Sequence, residues 1–452
     1  MVSFVLQQLI EFSTSRPTKP MFSQMPVSPL SNRFFLSRGK PSEPPHFRGR
    51  LTHLLLLITA APAVVGLAVL FLLLQGPLRA EAPKQAFPTL PDPLVTEQGD
   101  PVTTVEQWET ERRPHTLELF RQLMFGRAPV ARPDSLSFEI VREDPEAMGG
   151  AALFREVAIR FEAPRGAGKI TLYVFYPNAV EQPVPVFLLI CHRDPSNIDP
   201  TREVREDFWP AEEIVGRGYA AAAFHVSDLD PDEHDDFKNG VHGLYEDPDQ
   251  ARAQDAWGAL TAWAWGASRA MDYLETDTRV AAERVAVVGH SRGGKTSLWA
   301  GARDERFSLM VSNNAGANGA ALARNRKGER IAYANRKFPH WFAENYKQFG
   351  NDPWSMPFDQ HQLVALNAPR HVYIASAEED YKADPQGEFL SAYFASPVWE
   401  LYGYEGLAAE EQPPADRPVH SGHIAYHLRS GGHDLTLQDW NWFMDYADTI
   451  WK

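Results

Sequence analysis

The sequence predicts an α/β fold, a three-layer sandwich with a mostly parallel central sheet and antiparallel strands on its N-terminal side, and three observations carry that expectation. Apolar runs at 184–190 (VPVFLLI), 219–226, 285–288 and 372–375 suit strands buried on both faces. Helical stretches lie between them, and strand–helix alternation builds a parallel sheet covered on both sides. At the end of one run stands Gly289-His290-Ser291-Arg292-Gly293, a GxSxG turn that passes directly into small and apolar helix formers.

With 452 residues, 44% of them hydrophobic, the chain can bury a large core. A net charge of -15 leaves no basic face to neutralise phosphates, which argues against nucleic acid as a partner. The single cysteine, Cys191, forbids an intramolecular disulfide and reads as a small buried hydrophobe. A monomer is expected.

Taken in order, residues 1–53 carry Arg33, Arg38, Lys40, Arg48 and Arg50 and are expected to be a disordered basic segment. Residues 54–74 are uncharged and, at about 1.5 Å per residue, long enough for a bilayer of about 30 Å. They form either a membrane anchor or the hydrophobic segment of a signal peptide ending near Ala80-Glu81-Ala82. Either way the remainder is expected outside the cytoplasm, periplasmic or secreted, and tethered to the membrane if 54–74 is retained. Residues 75–101, with Pro83, Pro88, Pro91, Pro93 and Pro101, form a stiff linker. Residues 102–452 are left as one catalytic domain.

Within that domain, 103–126 reads as a helix with Thr104 as N-cap and Gln107 three residues on. Alternation at 138–141, 151–161 and 169–176 predicts antiparallel strands. The polar stretch 191–201 after the 184–190 strand is either a surface loop or, through His192 or Arg193, the source of a backbone N–H facing the reaction centre. A helix at 208–217 ends at Gly218, and the 219–226 strand leads to Asp228, Asp230, Asp232, Glu233, His234, Asp235 and Asp236. This run lacks the glycine and glutamate of a calcium hand, so a solvated acidic loop is expected. An amphipathic helix is expected over 251–274, with Trp257, Leu260 and Trp263 on its apolar stripe.

After the GxSxG turn come a strand at 307–312 and a loop of small residues at 313–320. Arg324, Arg326, Lys327 and Arg330 follow as a solvated face or as a cleft wall facing an acidic polymer. Glu378, Glu379 and Asp380 lie past the 372–375 strand, and a strand at 425–428 leads to Ser430-Gly431-Gly432-His433-Asp434. A helix at 437–450 closes the chain.

The chemistry centres on Ser291. A nucleophile at a sharp strand-to-helix turn needs glycine two places to either side, because a Cβ there would meet the crossing backbone. The order Ser291, acid, His433 is the order of nucleophile, acid and base in α/β-hydrolases. His433 would take the hydroxyl proton while a carboxylate holds its tautomer. Glu378, Glu379 and Asp380 are all candidates; Asp380 is preferred because side chains alternate along an extended segment and because it lies a few residues before Pro385. No His or Cys cluster has zinc-ligand spacing, so neither metal nor cofactor is expected. The residues alone support a serine esterase or related hydrolase.

In GHSRGGK at 289–295, the small-residue loop at 313–321, FPHWF at 338–342, the segments 359–361 and 368–370, and SAEEDYKADPQGEF at 376–389, the chain from about Pro88 onward resembles the glucuronoyl esterases, carbohydrate esterase family fifteen. That resemblance implies an α/β-hydrolase fold and cleavage of esters between 4-O-methyl-glucuronic acid on xylan-type polysaccharide and lignin-type alcohols. It also implies that Arg292 assists the oxyanion and Lys295 holds sugar hydroxyls, and Lys295 lies one helical turn after Ser291, where both can face one cleft. Two departures stand out: Asn314 replaces a glutamate that serves as the acid in part of the family, and Tyr381 replaces a substrate-stacking tryptophan. An acetyl xylan esterase or general carboxylesterase is the enzyme alternative; a degenerate hydrolase acting as a carbohydrate-binding module is the non-enzyme one.

Overall fold

The structure, a computed structural model, describes residues 90–325 and 327–452. The basic segment 1–53, the 54–74 stretch, the first part of the proline-rich linker and Arg326 lie outside the described residues. Among the described residues no helix is long and apolar enough to cross a membrane.

Nine strands form one sheet: β1 Ser137–Ala147, β2 Ala152–Ala163, β3 Gly166–Pro177, β4 Val184–Cys191, β5 Ala220–His225, β6 Val280–His290, β7 Leu309–Asn313, β8 His371–Ala377 and β9 Ile424–Arg429. Their order is β1-β2-β3-β5-β4-β6-β7-β8-β9. β1 to β3 run antiparallel, β3 meets β5 antiparallel, and every pairing from β5 to β9 is parallel.

The apolar runs are explained by burial on both faces. In β6, Val285 and Val287 enter one core and Ala286 and Val288 the other; in β4, Val186, Leu188 and Ile190 oppose Phe187, Leu189 and Cys191 in the same way. Each such aliphatic side chain contributes about 1.5–3 kcal/mol by leaving water, so a polar residue anywhere in these runs would be costly. Cys191 is fully buried, and burial pushes its thiol up to about 12, as fits a packing residue.

Helices α1 Ala259–Leu274, α2 Arg292–Arg303, α3 Pro385–Leu401 and α4 Leu437–Trp451 complete the layers that concern the site. α1 begins eight residues after the expected start at 251. Gly258 is its N-cap, and a Cβ there would lie 2.2 Å from the Trp341 carbonyl oxygen. Trp257 therefore precedes the helix, buried and donating through Nε1 to Glu246 at 2.7 Å. The 208–217 helix likewise shortens to Ala211–Gly216, capped by Pro210. Thr104 and Gln107 form the reciprocal capping box that their spacing predicts. The last linker residues are docked: the Pro91 carbonyl accepts from His361 Nε2 at 2.8 Å, and that of Pro93 from Arg112 Nε at 3.1 Å.

Candidate active site

β6 delivers Ser291 at its C-terminal end, and α2 starts on the next residue. Ser291 has φ +55° and ψ -122°, a left-handed conformation that costs a non-glycine residue on the order of 1–3 kcal/mol and is held by its surroundings. Its N–H donates to the Asn313 carbonyl at 2.8 Å, and its own carbonyl accepts from Gly294 at 2.9 Å and Lys295 at 3.1 Å. The two flanking glycines differ. A Cβ on Gly289 would lie 1.9 Å from the Gly293 carbonyl oxygen, which no backbone adjustment absorbs; one on Gly293 would lie 3.1 Å from the Ile190 carbonyl oxygen and 3.4 Å from His192 Nδ1. The expected collision is thus severe on one side and mild on the other. The N–H groups of Arg292 and Gly293 come ahead of the first helical hydrogen bonds of α2, which Gly294 and Lys295 make to the Ser291 carbonyl.

The candidate acid and base follow adjacent parallel strands, β8 and β9. Backbone pairing continues past the ends of β8 and β9: Glu378 N–H donates to the Arg429 carbonyl at 2.8 Å and Glu379 N–H to that of Gly431 at 3.0 Å. The acid turn and the histidine turn are therefore fastened to each other. His433 Nδ1 donates to Asp380 Oδ2 at 2.5 Å, which leaves Nε2 as the atom able to take a proton. Asp380 is 5% exposed, whereas Glu378 and Glu379 are both exposed. Strict alternation would bury one of those glutamates; instead a turn closed by Asp380 N–H on the Ala377 carbonyl at 3.1 Å lifts both out and folds Asp380 back under. Burial by itself would raise the Asp380 carboxyl, but hydrogen bonds from His433, Asn314 Nδ2 (3.1 Å) and the Ala383 N–H hold it below its ordinary value. Asn314 thus supports Asp380.

Ser291, Asp380 and His433 line one cleft of about 240 Å³ together with Arg292, Lys295, Asn314, Glu329, Trp341 and Lys382. Lys295 is 3% exposed and donates to the carbonyls of Ala315 and, at 2.6 Å, Ala317. Burial pushes its ammonium down to about 8, against the pull of Glu329 and Glu388. Two of its three N–H groups are thereby engaged with the small-residue loop. The same loop is tied from behind by Glu388, which accepts from the Gly316 N–H at 2.7 Å and pairs with Ser376 Oγ at 2.6 Å. Burial pushes that carboxyl up to about 8.

Arg292 sits in a socket. Its guanidinium lies over the rings of Phe338 at 5.0 Å and Trp341 at 4.8 Å and is ion-paired with Asp232. Asp232 also accepts from His340 Nε2 at 3.0 Å and Trp341 Nε1 at 2.8 Å. Burial alone would raise this carboxyl, but those donors and the Arg292 charge hold it well below the carboxylate range. The 228–236 run is therefore not the solvated loop its composition predicts. Asp228 accepts from the Thr171 N–H at 2.7 Å, Asp230 lies 3.0 Å from His242 in the interior, and only the later part faces water.

The 191–201 loop sits against the elbow. His192 is partly buried beside Gly293, and burial with the nearby Arg292 charge pushes it down to about 3, so the ring is neutral. Arg193 carries its side chain to Asp434, next to His433, at 2.7 Å, and donates to His290 Nε2 at 3.2 Å. An arginine only donates, so His290 must carry its proton on Nδ1, which faces Asn313 Oδ1 at 2.6 Å. The His290 ring centroid is 4.5 Å from that of His433.

The other singled-out residues fall elsewhere. Arg324 is interior and structural, 4% exposed and bound to Asp359 at 3.2 Å and the Phe358 carbonyl at 2.7 Å. Lys327 donates to Gln386 at 2.8 Å. Tyr381, 78% exposed, lines a neighbouring groove with Lys327 and Arg330 rather than the Ser291 cleft. Asp232, Glu329 and Trp341 are site residues that the sequence did not single out for a role; the DxD spacing and the FPHWF segment were the available signals.

Residues 169–403 match the family model described as glucuronyl esterase, fungi. Carbohydrate esterase MZ0003, from an unknown prokaryotic organism, is 39% identical over 397 residues, covering 82% of this chain and 90% of its own length. The 4-O-methyl-glucuronoyl methylesterase of Schizophyllum commune is 29% identical over 303 residues, covering 65% of this chain and 68% of its own. Among solved structures, the glucuronoyl esterase from Solibacter usitatus superposes with a TM-score of 0.75 at 39% identity, covering 80% of this chain and 98% of that one.

Proposed function

The chain belongs to the glucuronoyl esterase family, a family of carboxylic ester hydrolases with the α/β-hydrolase fold, and on that premise we propose that it opens glucuronoyl esters at Ser291 through a Ser291–His433–Asp380 triad. The observation that carries the assignment of roles is the 2.5 Å hydrogen bond from His433 to Asp380, in the cleft where the Ser291 elbow emerges. Ser291 Oγ attacks the uronoyl carbonyl carbon while His433 Nε2 takes the hydroxyl proton. The same proton leaves on the alcohol oxygen as the ester bond breaks and the uronoyl-serine ester forms. Water then attacks that ester, giving its proton to His433, and the carboxylic acid is released as Ser291 recovers its hydrogen.

The negative oxygen formed in each step lies near the N-terminus of α2, where backbone N–H groups and the Arg292 charge favour it. Lys295, buried and facing the cleft, supports binding of sugar hydroxyls, and the walls supplied by Glu329 and Trp341 offer an acceptor and an apolar face. A cleft of about 240 Å³ suits one uronic acid ring, leaving the polysaccharide and the alcohol outside. Esters to lignin-type alcohols on a xylan-type polymer are the substrates this reading favours. The uncharged 54–74 stretch supports an extracytoplasmic location.

The test compares rates on a benzyl glucuronate ester, acetylated xylan and nitrophenyl acetate. The glucuronate ester should have the highest kcat/KM, and Ser291→Ala should lower it by about 10³-fold or more with the fold intact. Preference for acetylated xylan would replace the proposal with an acetyl esterase, and a Ser291→Ala variant within tenfold of the parent would remove Ser291 from the mechanism.

A further inference from the structure

His433 stands in a turn poorly suited to holding anything still. Two glycines precede it, Gly431 at φ +96°, and the His433 side chain is 45% exposed. Side-chain position at a catalytic base matters to within a fraction of an ångström, since a displacement of about 1 Å can cost about 10²-fold in rate. What fixes the turn lies underneath it. Arg429, the last residue of β9, is 8% exposed and sends its guanidinium into the concave side of the turn. One terminal nitrogen donates to the Ser430 carbonyl at 2.7 Å; the other donates to the carbonyls of Gly432 at 2.9 Å and Asp434 at 3.3 Å. The turn is wrapped so closely that a Cβ on Gly431 would lie 3.2 Å from the guanidinium.

We propose that Arg429 is a positioning residue for the reaction, its guanidinium holding the Gly432 and Asp434 carbonyls, one residue to either side of His433. The Gly432 carbonyl belongs to the peptide that enters His433 and the Asp434 carbonyl to the peptide that leaves the next residue, so holding both from one rigid plane brackets the His433 backbone and restricts where its Cα–Cβ bond points. Lysine cannot reproduce this, having a single nitrogen on a flexible stem. The fork is itself held from behind: Nε donates to the fully buried Asp439 at 3.0 Å. Asp439 also accepts from His427 Nε2 at 2.9 Å and from the Thr436 N–H at 2.8 Å, where it completes the capping box of α4. The aim of His433 is thus referenced to β9 and to the start of α4, two elements of the core, rather than to the loop that carries it.

The proposal rests on His433 being the general base, and the experiment separates the two. Full-chain Arg429→Lys and Asp439→Asn variants, confirmed folded by circular dichroism, are assayed for kcat and KM on a benzyl glucuronate ester beside His433→Ala. The low-field proton resonance of the His433–Asp380 hydrogen bond is recorded for each folded variant. Arg429→Lys should lose about 10–10²-fold in kcat with KM within about threefold, and its low-field resonance should broaden or vanish. Asp439→Asn, which keeps the fork but loosens its anchor, should show the same split at a smaller factor. If either folded variant keeps kcat and the resonance while only its melting temperature falls, Arg429 is merely structural and the proposal is overturned. If His433→Ala remains active, the reading of the base itself fails instead.

Discussion

Two runs of carboxylates, 228–236 and 378–380, look alike in the sequence and do different things in the structure. Each follows a strand end, and in each only some of the acids turn inward. In the first, Asp228, Asp230 and Asp232 meet the protein and Asp236 stays in water, paired with Lys238 at 3.0 Å. In the second, Glu378 and Glu379 are exposed and Asp380 is buried. The decisive difference is the partner. Asp380 holds an imidazole, and in the proposed mechanism that ring exchanges a proton with Ser291, so the carboxylate would stabilise a cation that exists only during turnover. Asp232 holds a guanidinium that is always charged and two N–H groups that never leave, so it makes a permanent socket for Arg292. Burial selects which carboxylate is used; the chemistry of its partner decides for what.

The largest test of that contrast is at Asp380. Asp380→Asn should lower kcat by about 10⁴-fold with the fold retained, because an amide lets His433 take the wrong tautomer. Glu378→Gln and Glu379→Gln should stay within about twofold of the parent, as exposed positions usually do. A dead Glu379→Gln beside an active Asp380→Asn would mean that the turn rearranges and that the buried acid is not the working one.

The parallel strands and the elbow could be read from the sequence because each is local: a strand covered on both faces is apolar at every position, and GxSxG is dictated by one turn. The pairing of Asp380 with His433 was also legible, though it comes about through a turn rather than through alternation. The Asp232 socket was not. Its partners Arg292, His340 and Trp341 lie 60, 108 and 109 residues away, and nothing within the acidic run distinguishes Asp232 from Asp236. The start of α3 was written in its Asp384 N-cap and Pro385, but Pro397 inside the helix conceals how far it extends. Arg429 passes for an ordinary strand-end cation until the carbonyls of the histidine turn are seen around it.

A smaller effect is expected at Asp232. Asp232→Asn removes the ion pair but keeps an acceptor for Trp341, so Arg292 should lose orientation rather than position, at a cost of about 10–10²-fold in kcat/KM on a glucuronate ester. The pH dependence of stability supplies the second readout. Because the folded-state pKa of Asp232 is depressed, its contribution is fully present above the ordinary carboxylate value of about 4 and is lost as pH falls toward the depressed one. The melting-temperature gap between parent and Asp232→Asn should therefore be widest near neutrality and close on acidification. A gap that stays constant down to about pH 2.5 would show that the carboxylate charge is not what holds the socket.

The smallest expected effect is that of divalent cations on the same acidic run, and it asks whether its composition or its partners govern it. A calcium site needs about six or more oxygen ligands converging on one point. Here the carboxylates are already spoken for by different neighbours: Asp228 by a backbone N–H, Asp230 by His242, Asp232 by Arg292, Asp235 by the Asn239 N–H at 2.8 Å, and Asp236 by Lys238. Assembling a cation site would require breaking several of these contacts, among them the one that seats Arg292. A cation present at about a hundred times its dissociation constant would stabilise the fold by about 2.7 kcal/mol and raise the melting temperature by several degrees. Melting curves recorded with calcium and with a chelator should instead coincide to within about 1 °C, and kcat should not change. A calcium-dependent rise that disappears in an Asp235→Asn, Asp236→Asn double variant would mean that the outer carboxylates do converge, and that the run is a cation site resting on the arginine socket.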